Sequence, residues 1–120
     1  MNYTGKMDPE CVALCNAMNR FEGIETYESC CGHGNDNFCI WFSAESLKVL
    51  PALLYWFSPC HSGVYGWKVC ATTDCACSPA TFRAESERMG DEAYGESNLI
   101  AKYMNEDLDN PDERGREVGA

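Results

Sequence analysis

Nine cysteines in a chain of 120 residues force a choice before any other feature is read. They either staple a small fold through disulfides, or sit in it as thiols and metal ligands. The number is odd, so a complete disulfide set leaves one thiol over. The opening Met1-Asn2-Tyr3-Thr4-Gly5-Lys6 lacks the apolar core of a signal peptide. Together these features place the chain in a reducing cytoplasm, where the fold must rest on a packed core. With 45 % hydrophobic and 12 % aromatic residues, the composition supplies one core of modest size, as expected for a single domain. No run of about 18 apolar residues is present to span a bilayer.

Nine Lys and Arg stand against 19 Asp and Glu, for a net charge of -10. A long nucleic acid, whose binding depends on neutralising many phosphates, is excluded as a partner on that ground. A small anionic ligand is not, because a pocket needs only a few local donors.

The spacing predicts a first helix opening at Asp8-Pro9-Glu10, with Asp8 as cap and Pro9 at the first helical position. Cys11, Leu14, Cys15 and Met18 recur at helical intervals, and Gly23 closes the segment. Ile24 to Ser29 reads as a strand, Cys30 to Asn37 as a turn, and Phe38 to Phe42 as the returning strand. Ser43 and Ser46 offer caps for a second helix through Leu47, Leu50, Leu53, Leu54 and Phe57, with Pro51 as a kink or as its true start. A third strand is expected at about Tyr65 to Thr72 and a fourth at Ala80 to Glu85. A third helix runs from about Asp91 to Leu108, with Ala93, Ile100, Tyr103, Met104 and Leu108 as its apolar stripe.

The expected fold is therefore α+β: an antiparallel sheet of about four strands made of two strand-turn-strand-helix units, plus an N-terminal helix. Residues 1–7 are expected to be loose, 8–108 to form the domain, and 109–120 to be a loose acidic tail. Both units end a strand in a hydroxyl residue and a cysteine entering a turn, which suggests a pseudo-duplication. On that reading both Cys-rich turns lie at the same edge of the sheet.

Three constellations carry chemistry. Cys30, Cys31, His33, Cys60, His61, Cys75 and Cys77 are soft or borderline ligands, any four of which suit tetrahedral zinc. Their spacings, C-C-x-H, C-H and C-x-C, are not the C-x-x-C of common zinc motifs. The competing reading is that thiols fill space, as assigned to Cys11, Cys15, Cys39 and Cys70. Cys31 with His33, or Cys60 with His61, also gives a nucleophile beside a base, but no orienting third group is legible. Lastly, the glycine-rich turn of Ser29, Cys31, Gly32 and His33 can expose backbone N–H groups to an anion. Phe82, Trp67 and Tyr65 could stack on a base, and Arg83, Arg20 and Lys68 could meet phosphates. Strand alternation allows only one of Phe82 and Arg83 on each face, and it favours Phe82 in the core. Tyr55-Trp56-Phe57 and Val64-Tyr65-Gly66-Trp67 exceed what one core wall needs, which favours a homodimer or higher homo-oligomer.

Glu28-Ser29-Cys30-Cys31-Gly32-His33-Gly34, Cys60-His61-Ser62-Gly63, Tyr65-Gly66-Trp67 and Thr72-Thr73-Asp74, all between Gly23 and Glu85, resemble the phage-encoded Thoeris anti-defence sponges. Those proteins sequester cyclic ADP-ribose isomers made by bacterial TIR enzymes and, in some members, cyclic oligonucleotides. The Ser-Cys-x-Gly turn also resembles that of the wybutosine-synthesis methyltransferase family, although this chain has no recognisable methyl-donor site. The sponge resemblance implies a homo-oligomer without turnover in the bacterial cytoplasm, with pockets where subunits meet. Phe82 and Arg83 are the positions that best suit the ligand contacts it implies, and Arg20, Ser29, Cys31, Gly32, His33, Trp67, Thr73 and Asp74 complete the candidate ligand-binding residues. No organic cofactor is expected. The alternative function is a zinc-stabilised module that inhibits a host protein through its acidic surface.

Overall fold

Helix α1 (Pro9–Met18) forms where the sequence places it, and its buried Cys11, Leu14, Cys15, Ala17 and Met18 make one apolar stripe. The computed structural model describes residues 8–58, 67–72 and 80–110. The expectations for residues 1–7 and for the tail past 110 lie outside the described residues. So do those for Cys60, His61, Tyr65, Thr73, Asp74, Cys75 and Cys77.

Gly23 turns the chain out of α1 with φ at 81°, a conformation that L side chains avoid, and a Cβ there would press on Glu45 and Val49 at 3.2 Å. Strands β1 (Ile24–Cys30) and β2 (Cys39–Ala44) then form an antiparallel hairpin. The register shifts between Thr26 and Glu28, a bulge that bends β1 and moves the following side chains to the opposite faces.

Pro51 marks the real start of the second helix. Ser46 caps a 3-10 turn at Leu47–Val49, α2 spans Leu50–Leu54 and a second 3-10 turn follows at Tyr55–Phe57. Leu47, expected in the apolar stripe, is 68 % exposed, because that stripe begins only at Leu50. Strand β3 (Lys68–Ala71) is shorter than expected among the described residues, and β4 (Ala80–Glu85) has the predicted bounds.

Helix α3 (Asp91–Asp109) buries Ala93, Ile100 and Met104 of the predicted stripe, together with Glu96, Ser97 and Ala101. It takes in Asp109, which the sequence reading assigned to the tail. The Asp109 carboxylate binds Arg20 at 2.7 Å, which ties the end of α3 to the end of α1.

The fold is α+β, with four antiparallel strands in the order β1-β2-β4-β3. Two hairpins meet along β2 and β4, with Cys39 opposite Glu85 and Ala44 opposite Ala80. This register corrects the expectation that both Cys-rich turns share an edge. Cys30 and Cys39 flank the first turn at the Glu85 end of β4, whereas Ala71 and Ala80 flank the second connection at the other end. Two hairpins joined antiparallel through their second strands necessarily point their turns in opposite directions.

Alternation along β2 and β4 gives the sheet two unlike faces. Ile40, Phe42, Phe82 and Ala84 point inward to the core that α1, α2 and α3 complete, and Phe42 stacks on Phe82 at 5.6 Å. Trp41 and Arg83 are register partners, with Cys70 next in line, and their row points the other way. Among the described residues this second face is the more open one, with Trp41 and Arg83 partly exposed and Cys70 exposed, although Cys39 at its end is buried.

Candidate functional site

Chemistry gathers at the turn between β1 and β2. Gly32, His33 and Gly34 all have positive φ, at 81°, 53° and 83°. For His33 this left-handed conformation stores strain on the order of 1 kcal/mol. A Cβ on Gly32 would crowd the Asn37 carbonyl oxygen at 3.1 Å. The coil turns the Cys31 N–H toward helix α1, where it donates to Asp8 Oδ2 at 2.9 Å.

Asp8 occupies the N-cap position of α1, yet its side chain caps nothing there. The carboxylate instead takes the Cys31 N–H, one of the turn donors that the sequence reading assigned to an anionic ligand, while the Gly32 and His33 N–H groups go to Cys30 and Cys31 Sγ. The Cys31 N–H holds the Asp8 carboxyl below its ordinary value, against the opposing effect of burial. A phosphate at this turn would have to displace a carboxylate already bound.

The two thiols of the turn differ in surroundings. Cys30 Sγ accepts from the Gly32 N–H and Cys31 Sγ from the His33 N–H, each at 3.4 Å. Cys31 is only 3 % exposed, and burial pushes its thiol up despite the His33 N–H. The neighbouring Cys31 thiol is the main reason that the Tyr94 phenol is pushed up to about 12. His33 Nδ1 lies 3.7 Å from Cys31 Sγ, and His33 Nε2 lies 3.9 Å from Asp8 Oδ2. The 3.7 Å separation is within reach of a sulfur hydrogen bond, but the thiol is closed from solvent and held in its protonated form by burial, the opposite of the exposed, low-pKa thiolate that a nucleophile needs.

The remaining predicted ligand contacts do not converge on this turn. Phe82 is 9 % exposed and stacked on Phe42, so it belongs to the core and is withdrawn as a ligand contact. Trp67 is buried against Phe38 and Phe57, and its indole N–H donates to Glu96 Oε1 at 2.7 Å. It is likewise a structural residue, because its one polar atom is already spent on a buried carboxylate. Arg20 donates to Asn105 at 2.8 Å as well as binding Asp109, beyond the C-terminal end of α1. The ten-residue helix puts about 15 Å between that end and Asp8. Ser29 faces inward, within hydrogen-bonding reach of Cys11 and Cys15.

Among the zinc candidates, His33 meets Cys31 and Asp8. Cys30 lies opposite Cys39 on the outward face, and the other four candidates fall outside the described residues. Of the space-filling thiols, Cys11, Cys15 and Cys39 are buried, whereas Cys70 is exposed. Cys70 stands on β3, whose described residues include none that is fully buried.

On the outward face, Arg83 Nη2 approaches Glu85 Oε1 at 3.5 Å, and the guanidinium Nε is shielded from solvent with no hydrogen-bond partner among the described residues. Its cross-strand neighbour Trp41 is partly exposed. Sequence reasoning missed Trp41, although its place between inward Ile40 and Phe42 was a signal for an outward aromatic. An apolar groove of about 340 Å³ also opens beside Leu54, Phe57, Ser58, Trp67 and Val69, but that lining carries no charged side chain. Comparison with protein-family models, with curated proteins and with solved structures matched none of them to this chain.

Proposed function

We propose that this chain is a non-catalytic binding protein that captures a small nucleotide-derived signal on the outward face of its sheet. The ligand class, a cyclic ADP-ribose isomer or a cyclic oligonucleotide, comes from the resemblance to phage anti-defence sponges. The observation that carries the reading is the pairing of Trp41 with Arg83, whose Nε has no partner among the described residues. An unpaired buried donor costs about 1–3 kcal/mol, which an anionic ligand that draws the guanidinium off Glu85 would recover. Stacking on Trp41 would contribute roughly 1–3 kcal/mol per base.

Non-catalytic capture is also supported by Cys31, a closed thiol that burial disfavours as an anion. A bacterial cytoplasmic setting and a homo-oligomer belong to the same proposal. Exposed Leu47 and Tyr55 offer apolar surface for a second copy. No described helix is long and apolar enough to cross a membrane.

The test is a native mass spectrum of the full chain purified from cells with and without an active TIR enzyme. A TIR-dependent mass increment equal to a cyclic ADP-ribose is expected, and Arg83→Ala and Trp41→Ala should each abolish it while circular dichroism stays unchanged. Retention in both variants would remove this face as the site. A spectrum without any increment would favour the module that inhibits a host protein through its acidic surface.

A further inference from the structure

The geometry points to Asp8, Cys31 and His33 as a zinc site that clamps the start of helix α1 to the turn between β1 and β2. One ligand atom from each residue lies within 4.8 Å of the others. A tetrahedral zinc ion with bonds of about 2.0–2.3 Å sets its ligand atoms roughly 3.3–3.6 Å apart. Closing the gap takes side-chain movements of about 1 Å by that comparison. His33 is free to supply them, since its side chain is 70 % exposed.

Three independent features prepare these residues for a cation. Asp8 stands at the cap of α1 but turns its carboxylate to the Cys31 turn instead of to the helix N–H groups. Cys31 Sγ accepts the His33 N–H at 3.4 Å, a bond that steadies a thiolate once its proton has left. The left-handed backbone of His33, between two glycines that share its sign of φ, folds the imidazole back over that sulfur.

The donor set selects the metal. One thiolate, one imidazole and one carboxylate match zinc, whereas magnesium and calcium require oxygen ligands throughout. Binding releases the Cys31 thiol proton to water, so Zn²⁺ and the two anionic ligands form a neutral centre. Three protein ligands leave a fourth position for water or for an incoming donor atom, on the exposed side of His33. The site is independent of the nucleotide reading, because it lies at the turn and not on the Trp41–Arg83 row.

The experiment strips the full-length protein with a chelator, dialyses it, and titrates it with Co²⁺ followed by Zn²⁺. One equivalent of Co²⁺ should produce a near-ultraviolet sulfur-to-cobalt band that Zn²⁺ then removes. Cys31→Ser should erase the band. His33→Gly and Asp8→Asn should weaken Co²⁺ binding at least about 100-fold, beyond the range seen for residues that only support a ligand. Glycine suits a φ of 53°, so His33→Gly decides the question if Cys31→Ser fails to fold. The proposal is overturned if no band forms, if His33→Gly binds Co²⁺ as the parent does, or if the band depends on Cys60, Cys75 or Cys77 instead of Cys31.

Discussion

Phe82 and Arg83 are neighbours in one strand, yet they live in different molecules as far as physics is concerned. The Phe82 ring is packed against Phe42 under the helices, while the Arg83 guanidinium lies on the outward face with Glu85 as its ion-pair partner. The inward face is apolar and holds the fold together. The outward row mixes an aromatic, a cation, a carboxylate and a thiol, which is poor material for a core and suitable material for recognition. The lesson is that in an antiparallel sheet covered on one side, adjacent residues divide stability and binding between them.

The strongest way to break this contrast is to truncate both faces. Phe42→Ala or Phe82→Ala should lower unfolding free energy by about 3–5 kcal/mol, the usual loss for a buried phenylalanine. Arg83→Ala should leave it unchanged or raise it, by up to about 1–3 kcal/mol, because truncation removes a shielded donor that has no partner among the described residues. Urea denaturation of the three variants reads both numbers, and equal losses would abolish the distinction between the faces.

A smaller effect should appear at Trp67, the aromatic that the inward side assigns to structure. Trp67→Phe keeps a ring against Phe38 and Phe57 but removes the indole N–H bonded to Glu96. The expected destabilisation is about 1–3 kcal/mol, because a buried carboxylate oxygen loses its donor. A loss below 0.5 kcal/mol, on the order of a typical surface change, would mean that the bond adds nothing to the core.

At neutral pH the thiols add nothing to the contrast in stability, and they sharpen it only as the pH rises. Burial pushes Cys11 up to about 12 and Cys39 up to about 11, from an ordinary 9.0. A raised thiol pKa means that the folded state holds its proton more tightly than the unfolded chain does. The resulting stability is complete below pH 9, and it declines as the pH rises through 11 to 12. Unfolding midpoints measured from neutral to alkaline pH should show that decline. At neutral pH, iodoacetamide should modify exposed Cys70 well before Cys11 or Cys39. Equal labelling rates would contradict the burial described for the latter two.

Much of this architecture was legible one segment at a time. Helical spacing from Cys11 to Met18, alternation through Ala80 to Glu85 and the long stripe of α3 each carried their own periodic signal, and a period is a property of neighbouring residues. Alternation also implied that Phe82 and Arg83 part company, although it could not say which residue waits across the strand from Arg83.

Pairings between distant segments were a different matter. Asp8 reads as an ordinary helix cap, and only packing brings its carboxylate to Cys31, 23 positions later. Trp67 and Glu96 meet across 29 positions, and nothing local marks the glutamate as a buried partner. The opposed directions of the two turns follow from β2 lying against β4, a long-range contact that no strand pattern contains. Composition and periodicity determined the α+β class and most of the elements, because those depend on local sterics and burial, whereas which face of β4 meets solvent and the exchange of faces at the β1 bulge did not follow from them. The hairpin order, the Asp8–Cys31–His33 cluster and the Trp41–Arg83 pair were decided by tertiary structure alone, because each depends on which distant surfaces exclude water together.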